Sequence, residues 1–236
     1  MQDIYIAGTG LWYPKDVITN DELVHSYNTY VDIFNSKYQK EIESGSKQMM
    51  EHSSSEFIEK ASGIKTRYVL DKKNILDPDV MMPLTRNEDR KSLSILAEAG
   101  VDASKKAMKN AGLTVDDIDA VIVGTSHAAR NFPAVAIEIQ EELGINGYAY
   151  DMLVGCSSTT FAINNAYSDI AAGTCKTILV VNPEITSPGV DFRERDRHFI
   201  FGDGCVATIV QKNSSSKNRF KILDRKLLTK FSNNIR

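Results

Sequence analysis

The chain has 236 residues, enough for one large domain or a domain and a half. Its 28 Lys and Arg against 31 Asp and Glu give a formal net charge of −3, which offers no electrostatic case for nucleic acid or an anionic membrane as partner. The composition is that of an ordinary globular protein, and no apolar run approaches the ~20 residues that span a bilayer. A start without signal-peptide pattern and three widely spaced cysteines predict a cytoplasmic protein with reduced thiols.

The first part of the chain shows one clear strand, one helix start and two polar segments. A strand is predicted over residues 3–7 and ends in a pair of glycines. A helix is predicted to begin at Thr19 or Asn20, either of which can cap its free N–H groups. Residues 28–55 and 71–91 are polar and have no steady period, so we interpret each as an insertion or as a mobile, partly helical lid.

From residue 92 onward, helical and strand patterns alternate. Alternation of this kind is typical of right-handed crossovers and of a mixed, mostly parallel sheet covered by helices on both faces. The sequence therefore predicts an α/β fold. The predicted helices are 92–111, 133–143 and 157–172, each followed by a glycine, and the predicted strands are 120–124, 148–152, 177–181, 205–210 and 220–228.

Cys156 is the strongest candidate for chemistry. It lies at a strand-to-helix turn, where the free N–H groups and the positive end of the helix favour a thiolate. Gly155 allows a tight turn and a close approach of substrate. The ordinary alternative is a small buried cysteine at a crowded turn. Cys175 lies between Thr174 and Lys176 at the entry to a strand, and Cys205 lies in an apolar strand; both are interpreted as packing residues.

The sequence offers no convincing cofactor or metal site. Gly8 and Gly10 follow a strand as in a dinucleotide fingerprint, but Tyr13 stands where the third glycine belongs and Pro14 breaks the expected helix. We therefore expect no dinucleotide cofactor. The four histidines, which lack metal-ligand spacing and predict no metal, are His25, His52, His127 and His198.

Several polar loop residues permit two interpretations. His127 and His198 are more simply solvated or hydrogen-bonded loop histidines than catalytic bases. The mixed-charge run 193–197 is either a solvated face or an anion clamp for a phosphate or a phosphopantetheine arm. Gly202-Asp203-Gly204 reads as a tight turn, with Asp203 accepting backbone N–H groups.

Several stretches, in a fixed order, carry a family likeness over residues 1 to about 211. They are Ala7-Gly8-Thr9-Gly10 with Tyr13-Pro14, residues 19–23, residues 62–68, Asn131-Phe132-Pro133-Ala134 with the helix to residue 145, residues 150–156, and residues 200–204. Together they resemble the first half of a β-ketoacyl-acyl-carrier-protein synthase III, a condensing enzyme of fatty acid biosynthesis in the thiolase-like superfamily.

The resemblance implies a thiolase-like half-domain and an acyltransferase activity. Cys156 would take an acyl group from acyl-CoA, and the acyl-enzyme would condense with malonyl-acyl carrier protein with loss of CO₂. Backbone amides near the helix start, including that of Cys156, would hold the developing oxyanion. The family likeness also implies a homodimer. It adds three substrate-binding residues and an active-site turn: Phe57, Phe132, Arg195, and Gly202, Asp203 and Gly204.

Some positions depart from the family pattern. Phe57 stands where a tryptophan often stacks on the CoA adenine, and Ala61 stands where an arginine often assists. Residues 157–161 replace the usual small residue and phenylalanine that follow the cysteine. These departures are compatible with a different donor, such as a longer acyl-CoA. Phe132 matches a phenylalanine that crosses the dimer interface in the family and limits acyl-chain length.

The family likeness also divides the chain. Residues 1–211 correspond to the N-terminal half, with 28–55 and 71–91 as insertions, and residues 212–236 to the start of a second half that is missing after Arg236. The family's catalytic histidine and asparagine lie in that second half, so condensation by this stretch alone is not expected. The alternatives are a non-catalytic half that needs a partner chain, or another condensing enzyme of the thiolase or hydroxymethylglutaryl-CoA synthase type.

Overall fold

The computed structural model describes residues 3–84, 92–128 and 130–233. Their contacts divide them into two compact units. The first contains the described residues of 3–12, 92–184 and 205–233, and the second those of 13–84 and 185–204. The boundaries 1–211 and 212–236 taken from the family likeness stay a prediction.

The helices and strands alternate along much of the chain. The helices are α1 Asn20–Lys37, α2 Gln39–Glu43, α3 Ser55–Ser62, α4 Lys72–Ile75, α5 Ile95–Ala111, α6 Val135–Leu143 and α7 Ser158–Ala172. The strands are β1 Ile4–Trp12, β2 Asp16–Thr19, β3 Thr66–Val69, β4 Ala120–Thr125, β5 Tyr148–Leu153, β6 Thr177–Ile185, β7 Asp203–Lys212 and β8 Phe220–Lys221. None of the helices in this described part of the chain is long and apolar enough to cross a membrane.

The first unit is built on a six-stranded mixed sheet in the order β5-β4-β6-β7-β1-β8. β4 pairs in parallel with β5 and with β6, whereas β1 pairs antiparallel with β7 and β8. Ile122 and Val180 contact the α7 side chains on one face. On the other face, Gly100 of α5 lies against Ile139 of α6 and Val181 of β6. The predicted α/β fold, with helices on both faces of its sheet, is confirmed.

β1 and α5 approach so closely that side chains are excluded between them. A Cβ atom at Gly10 would lie 2.0 Å from the Ala103 carbonyl oxygen, and one at Gly8 would lie 2.7 Å from that of Ala107. The prediction that the first strand ends at the glycine pair is wrong, because β1 continues through both glycines to Trp12. The two glycines therefore serve helix-on-strand packing.

The predicted helix ends are confirmed. α5, α6 and α7 each end at a glycine in the left-handed region, with φ of 72°, 71° and 84° at Gly112, Gly144 and Gly173. Glycine adopts this conformation without the Cβ penalty that other residues meet. The sequence signal and the physical cause therefore coincide at all three positions.

The second unit places α1 over an antiparallel pair, β2 and β3. Thr19 is the cap of α1, since its Oγ1 accepts the Glu22 N–H at 3.2 Å and Glu22 Oε2 accepts the Thr19 N–H at 2.9 Å. α1 buries Leu23, Tyr27 and Val31 in the core of this unit. These residues are four positions apart, the spacing of one helix face. Residues 28–55 are partly helical, as predicted, through α1, α2 and the start of α3.

Two further segments differ from the sequence-based expectation or lie partly outside the structure. The predicted strand 220–228 is reduced to Phe220–Lys221, because the next residues leave the sheet. Arg225 turns to α7, where its guanidinium lies 3.8 Å from the centre of the Tyr167 ring and donates to Ser168 Oγ at 2.8 Å. Of the predicted insertion 71–91, residues 85–91 lie outside the described residues, and the rest includes α4.

Replacing Gly10 by alanine tests the contact between β1 and α5. We expect Gly10→Ala to lower the free energy of unfolding by about 2–3 kcal/mol, since the new methyl group must displace helix backbone. Urea unfolding followed by circular dichroism measures the change. Gly189→Ala is the control, because a Cβ at Gly189 meets nothing within 4 Å, and its expected effect is within about 0.5 kcal/mol. Equal losses for both variants would contradict the packing role.

Candidate active site

Cys156 lies in a tight turn between β5 and α7. The strand ends at Leu153, residues Gly155–Ser157 form one turn of 3-10 helix, and α7 begins at Ser158. Gly155 has a φ of 57°, in the left-handed region, and a Cβ there would meet nothing within 4 Å. The turn therefore favours glycine for its backbone conformation. The Cys156 side chain is exposed beside the first turn of α7.

The three cysteines differ sharply in their surroundings. Cys156 is exposed, whereas Cys175 and Cys205 are buried. Burial raises the pKa of both the Cys175 and the Cys205 thiol, because it disfavours the thiolate. The turn cysteine is therefore the accessible nucleophile of the three.

Three polar residues, Ser126, His127 and Glu184, lie at the same sheet edge as Cys156. β4, β5 and β6 are parallel, so their carboxyl ends meet at one edge. Glu184 of β6 accepts the Ser126 N–H at 2.8 Å and a short hydrogen bond from the Ser126 hydroxyl. His127 Nδ1 lies 4.0 Å from Glu184 Oε2. Sequence reasoning considered His127 as a loop residue but missed Ser126 and Glu184, which are 58 positions apart.

Asp151 of β5 fixes the start of α6. Its carboxylate oxygens accept the N–H groups of Val135 and Ala136, both at 2.8 Å. Burial raises the pKa of the Asp151 carboxyl, since desolvation outweighs these two hydrogen bonds. Phe132, three residues before the helix, is 81% exposed. An apolar ring this exposed is available for contact with a substrate or a second chain.

In the second unit, the predicted substrate-binding residues Phe57 and Arg195 contact each other. The Arg195 guanidinium carbon lies 4.2 Å from the centre of the Phe57 ring. Arg195 Nε also donates to the His52 carbonyl oxygen at 3.0 Å, which fixes the plane of the guanidinium. Phe57 in turn packs edge-on against Phe199, with ring centres 5.8 Å apart. The pair presents a cation beside an aromatic face, a combination suited to a flat aromatic or phosphate-bearing group.

Asp203 acts as a backbone ligand. Its carboxylate accepts the Leu70 N–H at 2.9 Å and the Ser187 N–H at 2.8 Å, and the Ser187 hydroxyl at 2.6 Å. The prediction of a tight turn over Gly202-Asp203-Gly204 is wrong in its extent, because Asp203 and Gly204 already belong to β7. A Cβ at Gly202 would lie 2.9 Å from the Tyr68 carbonyl oxygen, so this glycine permits a close backbone approach.

His198 and His52 each contact a protein oxygen atom. His198 is fully buried, and its Nδ1 lies 3.1 Å from the Phe192 carbonyl oxygen, so Nδ1 carries the proton. Burial lowers the pKa of His198 to about 4, which keeps the ring neutral. His52 Nε2 lies 2.8 Å from Asp32 Oδ1. Within residues 3–84, 92–128 and 130–233, no group of three His, Cys, Asp or Glu could hold a metal ion.

The sequence around the candidate site is similar to that of known acyl-carrier-protein synthases. The profile of the family described as 3-Oxoacyl-[acyl-carrier-protein (ACP)] synthase III matches residues 150–230, which include Cys156. The chain is 47% identical over 215 residues to a beta-ketodecanoyl-[acyl-carrier-protein] synthase of Pseudomonas aeruginosa, covering 90% of this chain and 61% of that protein. It is 32% identical to a beta-ketoacyl-[acyl-carrier-protein] synthase III of Bartonella tribocorum, covering 87% of this chain and 50% of that protein.

Solved structures of 3-oxoacyl-[acyl-carrier-protein] synthases III are similar in fold to this chain. The 3-oxoacyl-[acyl-carrier-protein] synthase III of Aquifex aeolicus matches with a TM-score of 0.64 and 27% identity, covering 88% of this chain and 53% of that chain. The synthase III of Pseudomonas aeruginosa matches with a TM-score of 0.66 and 19% identity, covering 92% and 54%, and supports the fold alone. The chain thus spans roughly half of the length of most of these relatives, and 61% of the beta-ketodecanoyl synthase.

Thiol labelling tests the difference between the three cysteines. We expect iodoacetamide to modify one thiol per native chain, at Cys156, and all three after denaturation. Mass spectrometry of intact and digested protein counts and locates the adducts. Rapid native labelling of Cys175 or Cys205 would contradict the burial of these two thiols.

Proposed function

Since the chain is related by sequence and by fold to the 3-oxoacyl-[acyl-carrier-protein] synthases III, we propose that it carries the acyl-accepting site of such a condensing enzyme. The observation that carries this proposal is Cys156, the exposed thiol at the start of α7, inside the matched residues 150–230. The relatives' names support a catalytic role rather than a non-catalytic half or a hydroxymethylglutaryl-CoA synthase.

The first step is acyl transfer to Cys156. The Cys156 thiolate attacks the carbonyl carbon of an acyl thioester and forms a C–S bond, while the carbonyl electrons move to oxygen. Backbone N–H groups at the start of α7 stabilise this oxyanion, because the helix end is positive. The intermediate then collapses and expels the thiolate of CoA. The product is an acyl group held on Cys156 Sγ.

The second step is condensation with malonyl-acyl carrier protein. Decarboxylation of the malonyl group leaves a carbanion, which attacks the carbonyl carbon of the acyl-enzyme and releases Cys156 as a thiolate. In the family likeness, a histidine and an asparagine of a second half assist this step. We therefore assign the first step to the residues described here, and the second step to those residues acting with such a half.

The acyl donor is proposed to be a medium-chain acyl-CoA. The relative with 47% identity is named for a β-ketodecanoyl product. Subtracting the two carbons that malonyl contributes leaves an octanoyl donor. Phe57 and Ala61, where the family often has tryptophan and arginine, also set this chain apart from the common pattern. We therefore propose octanoyl-CoA as the donor to test first.

The nucleotide end of the donor is assigned to Phe57 and Arg195. Their stacked side chains offer a flat aromatic face and a cation, the groups that bind adenine and phosphate. We also propose that Gly202, Asp203 and Gly204 form the active-site turn that the family likeness implies, with Asp203 accepting the N–H groups of Leu70 and Ser187.

Two further assignments concern the assembly and its compartment. We propose a homodimer in which the exposed Phe132 crosses to the second copy and limits the length of the acyl chain. We also propose a cytoplasmic location, because three unpaired thiols persist in a reducing compartment.

Acyl transfer to Cys156 is the central test. Incubated with octanoyl-CoA, the purified protein should gain the mass of one octanoyl group and release one equivalent of CoA. Peptide mapping should place the acyl group on Cys156. Cys156→Ser should lower the rate of CoA release by at least about 10³-fold, because a hydroxyl at this turn is a far weaker nucleophile than a thiolate.

Cys175→Ser is the matched control, since it removes a buried thiol and should leave the acylation rate within about twofold. Absence of an octanoyl adduct in a folded wild-type protein, with acetyl-CoA and octanoyl-CoA both tried, would overturn the acyltransferase proposal.

Arg195→Ala tests the nucleotide assignment. We expect the KM for octanoyl-CoA to rise about tenfold, which corresponds to about 1.4 kcal/mol, because a cation beside the aromatic face is lost. Octanoyl-N-acetylcysteamine, which has no nucleotide, should react as with the wild type. Arg197→Ala is the control, since Arg197 pairs with Glu194 and not with Phe57. An equal effect of Arg195→Ala on both donors would exclude nucleotide binding by Arg195.

A further inference from the structure

We propose that Ser158 is a positioning residue that holds the Cys156 turn in its acyl-accepting geometry. The inference rests on the proposed acyl transfer to Cys156 and adds a residue that does not itself touch the substrate. Ser158 is the first residue of α7 and is 1% exposed. A hydroxyl this deeply buried needs hydrogen-bond partners, and the identity of those partners shows what it holds.

The partners of Ser158 lie on both sides of Cys156. Ser158 Oγ accepts the Val154 N–H at 2.9 Å and lies 2.7 Å from the Gly155 carbonyl oxygen. It also lies 2.9 Å from the Thr125 carbonyl oxygen at the end of β4. Through the accepted Val154 N–H, the hydroxyl ties the residues just before Cys156 to the start of α7. Its single proton is donated to one of the two carbonyl oxygens at a time, that of Gly155 within the turn or that of Thr125 on β4.

Ser158 is packed tightly against the backbone of β4 at Gly124. A Cβ at Gly124 would lie 2.8 Å from the Ser158 carbonyl oxygen and 2.8 Å from Asn182 Nδ2. Asn182 Nδ2 donates to the Gly124 carbonyl oxygen at 2.8 Å, which joins β6 to β4 at this point. The start of α7 therefore rests directly on strand backbone, and a shift of Ser158 cannot be absorbed by side-chain movement beneath it.

Ordinary helix capping does not account for these contacts. The cap residue of α7 is Ser157, and its side chain makes no capping hydrogen bond. Ser158 Oγ accepts an N–H from Val154, a residue before the helix, and not an N–H of the first turn of α7. The hydroxyl therefore fixes the turn without taking up an N–H of the first turn of α7, where the Ser157 and Ser158 N–H groups donate to the Val154 and Gly155 carbonyl oxygens.

Loss of the Ser158 hydroxyl is expected to slow those reactions of Cys156 that depend on aligned backbone N–H groups. Attack on a thioester requires both the thiolate and N–H groups aligned with the developing oxyanion, and small misalignment of such donors costs about 10–100-fold in rate. Alkylation by iodoacetamide requires the thiolate but develops no oxyanion. Loss of the Ser158 hydroxyl should therefore slow acylation far more than alkylation.

The experiment compares these two rates in the same variants. We expect Ser158→Ala to lower kcat for transfer from octanoyl-CoA about 10–100-fold with little change in KM, while its iodoacetamide rate stays within about twofold of wild type. Ser168→Ala is the matched control, because Ser168 also lies on α7 and also contacts a backbone carbonyl, that of Asn164 at 3.0 Å. Both of its rates should match wild type.

A second pair guards against a folding defect in Ser158→Ala. Ser158→Thr keeps the hydroxyl, whereas Ser158→Val introduces a side chain of the same shape as threonine without a hydroxyl. Cys156 should therefore be acylated about tenfold faster in the threonine variant than in the valine variant. Equal acylation by these two, or an equal fall of acylation and alkylation in Ser158→Ala, would overturn the positioning role. Failure of the wild type to acylate would instead overturn the proposed function, and this inference with it.

Discussion

Three parallel strands, β5, β4 and β6, determine where chemistry can occur in the first unit. Because they run in the same direction, the turns that follow them meet at one edge of the sheet, and the peptide N–H groups of α7 begin there. Cys156 follows β5, Ser126 follows β4, and Glu184 belongs to β6. If one of these strands were reversed, its terminal residue or turn would move to the opposite edge of the sheet.

The sequence predicted those parts of the structure that local physics decides. The glycines that end three helices, the Thr19 cap and the turn position of Cys156 all depend on residues within one turn of each other. The hydrogen bond from Asn182 to Gly124 and the contact of Ser158 with Thr125 join residues 58 and 33 positions apart. No local sequence pattern predicts such pairs, so the hydrogen bonds that hold the Cys156 turn could be identified only from the structure.

Three carboxylates hold backbone in place; Asp119 is exposed, Asp151 half-buried and Asp203 buried. Each of them accepts two backbone N–H groups: Asp119 from Lys176 and Thr177, Asp151 from Val135 and Ala136, and Asp203 from Leu70 and Ser187. A carboxylate engaged in this way is held as an acceptor. Under the proposed function, the reacting groups of the first unit are the Cys156 thiol and peptide N–H groups.

The two glycines nearest the turn, Gly155 and Gly124, are constrained for opposite reasons, and this bears on how the chain can change in evolution. Position 155 has open space but a left-handed backbone, so asparagine or aspartate, which enter that region most readily, are the replacements it can accept. Position 124 has no space for any side chain. Sequence drift in this chain should therefore show polar substitutions at the first position and none at the second.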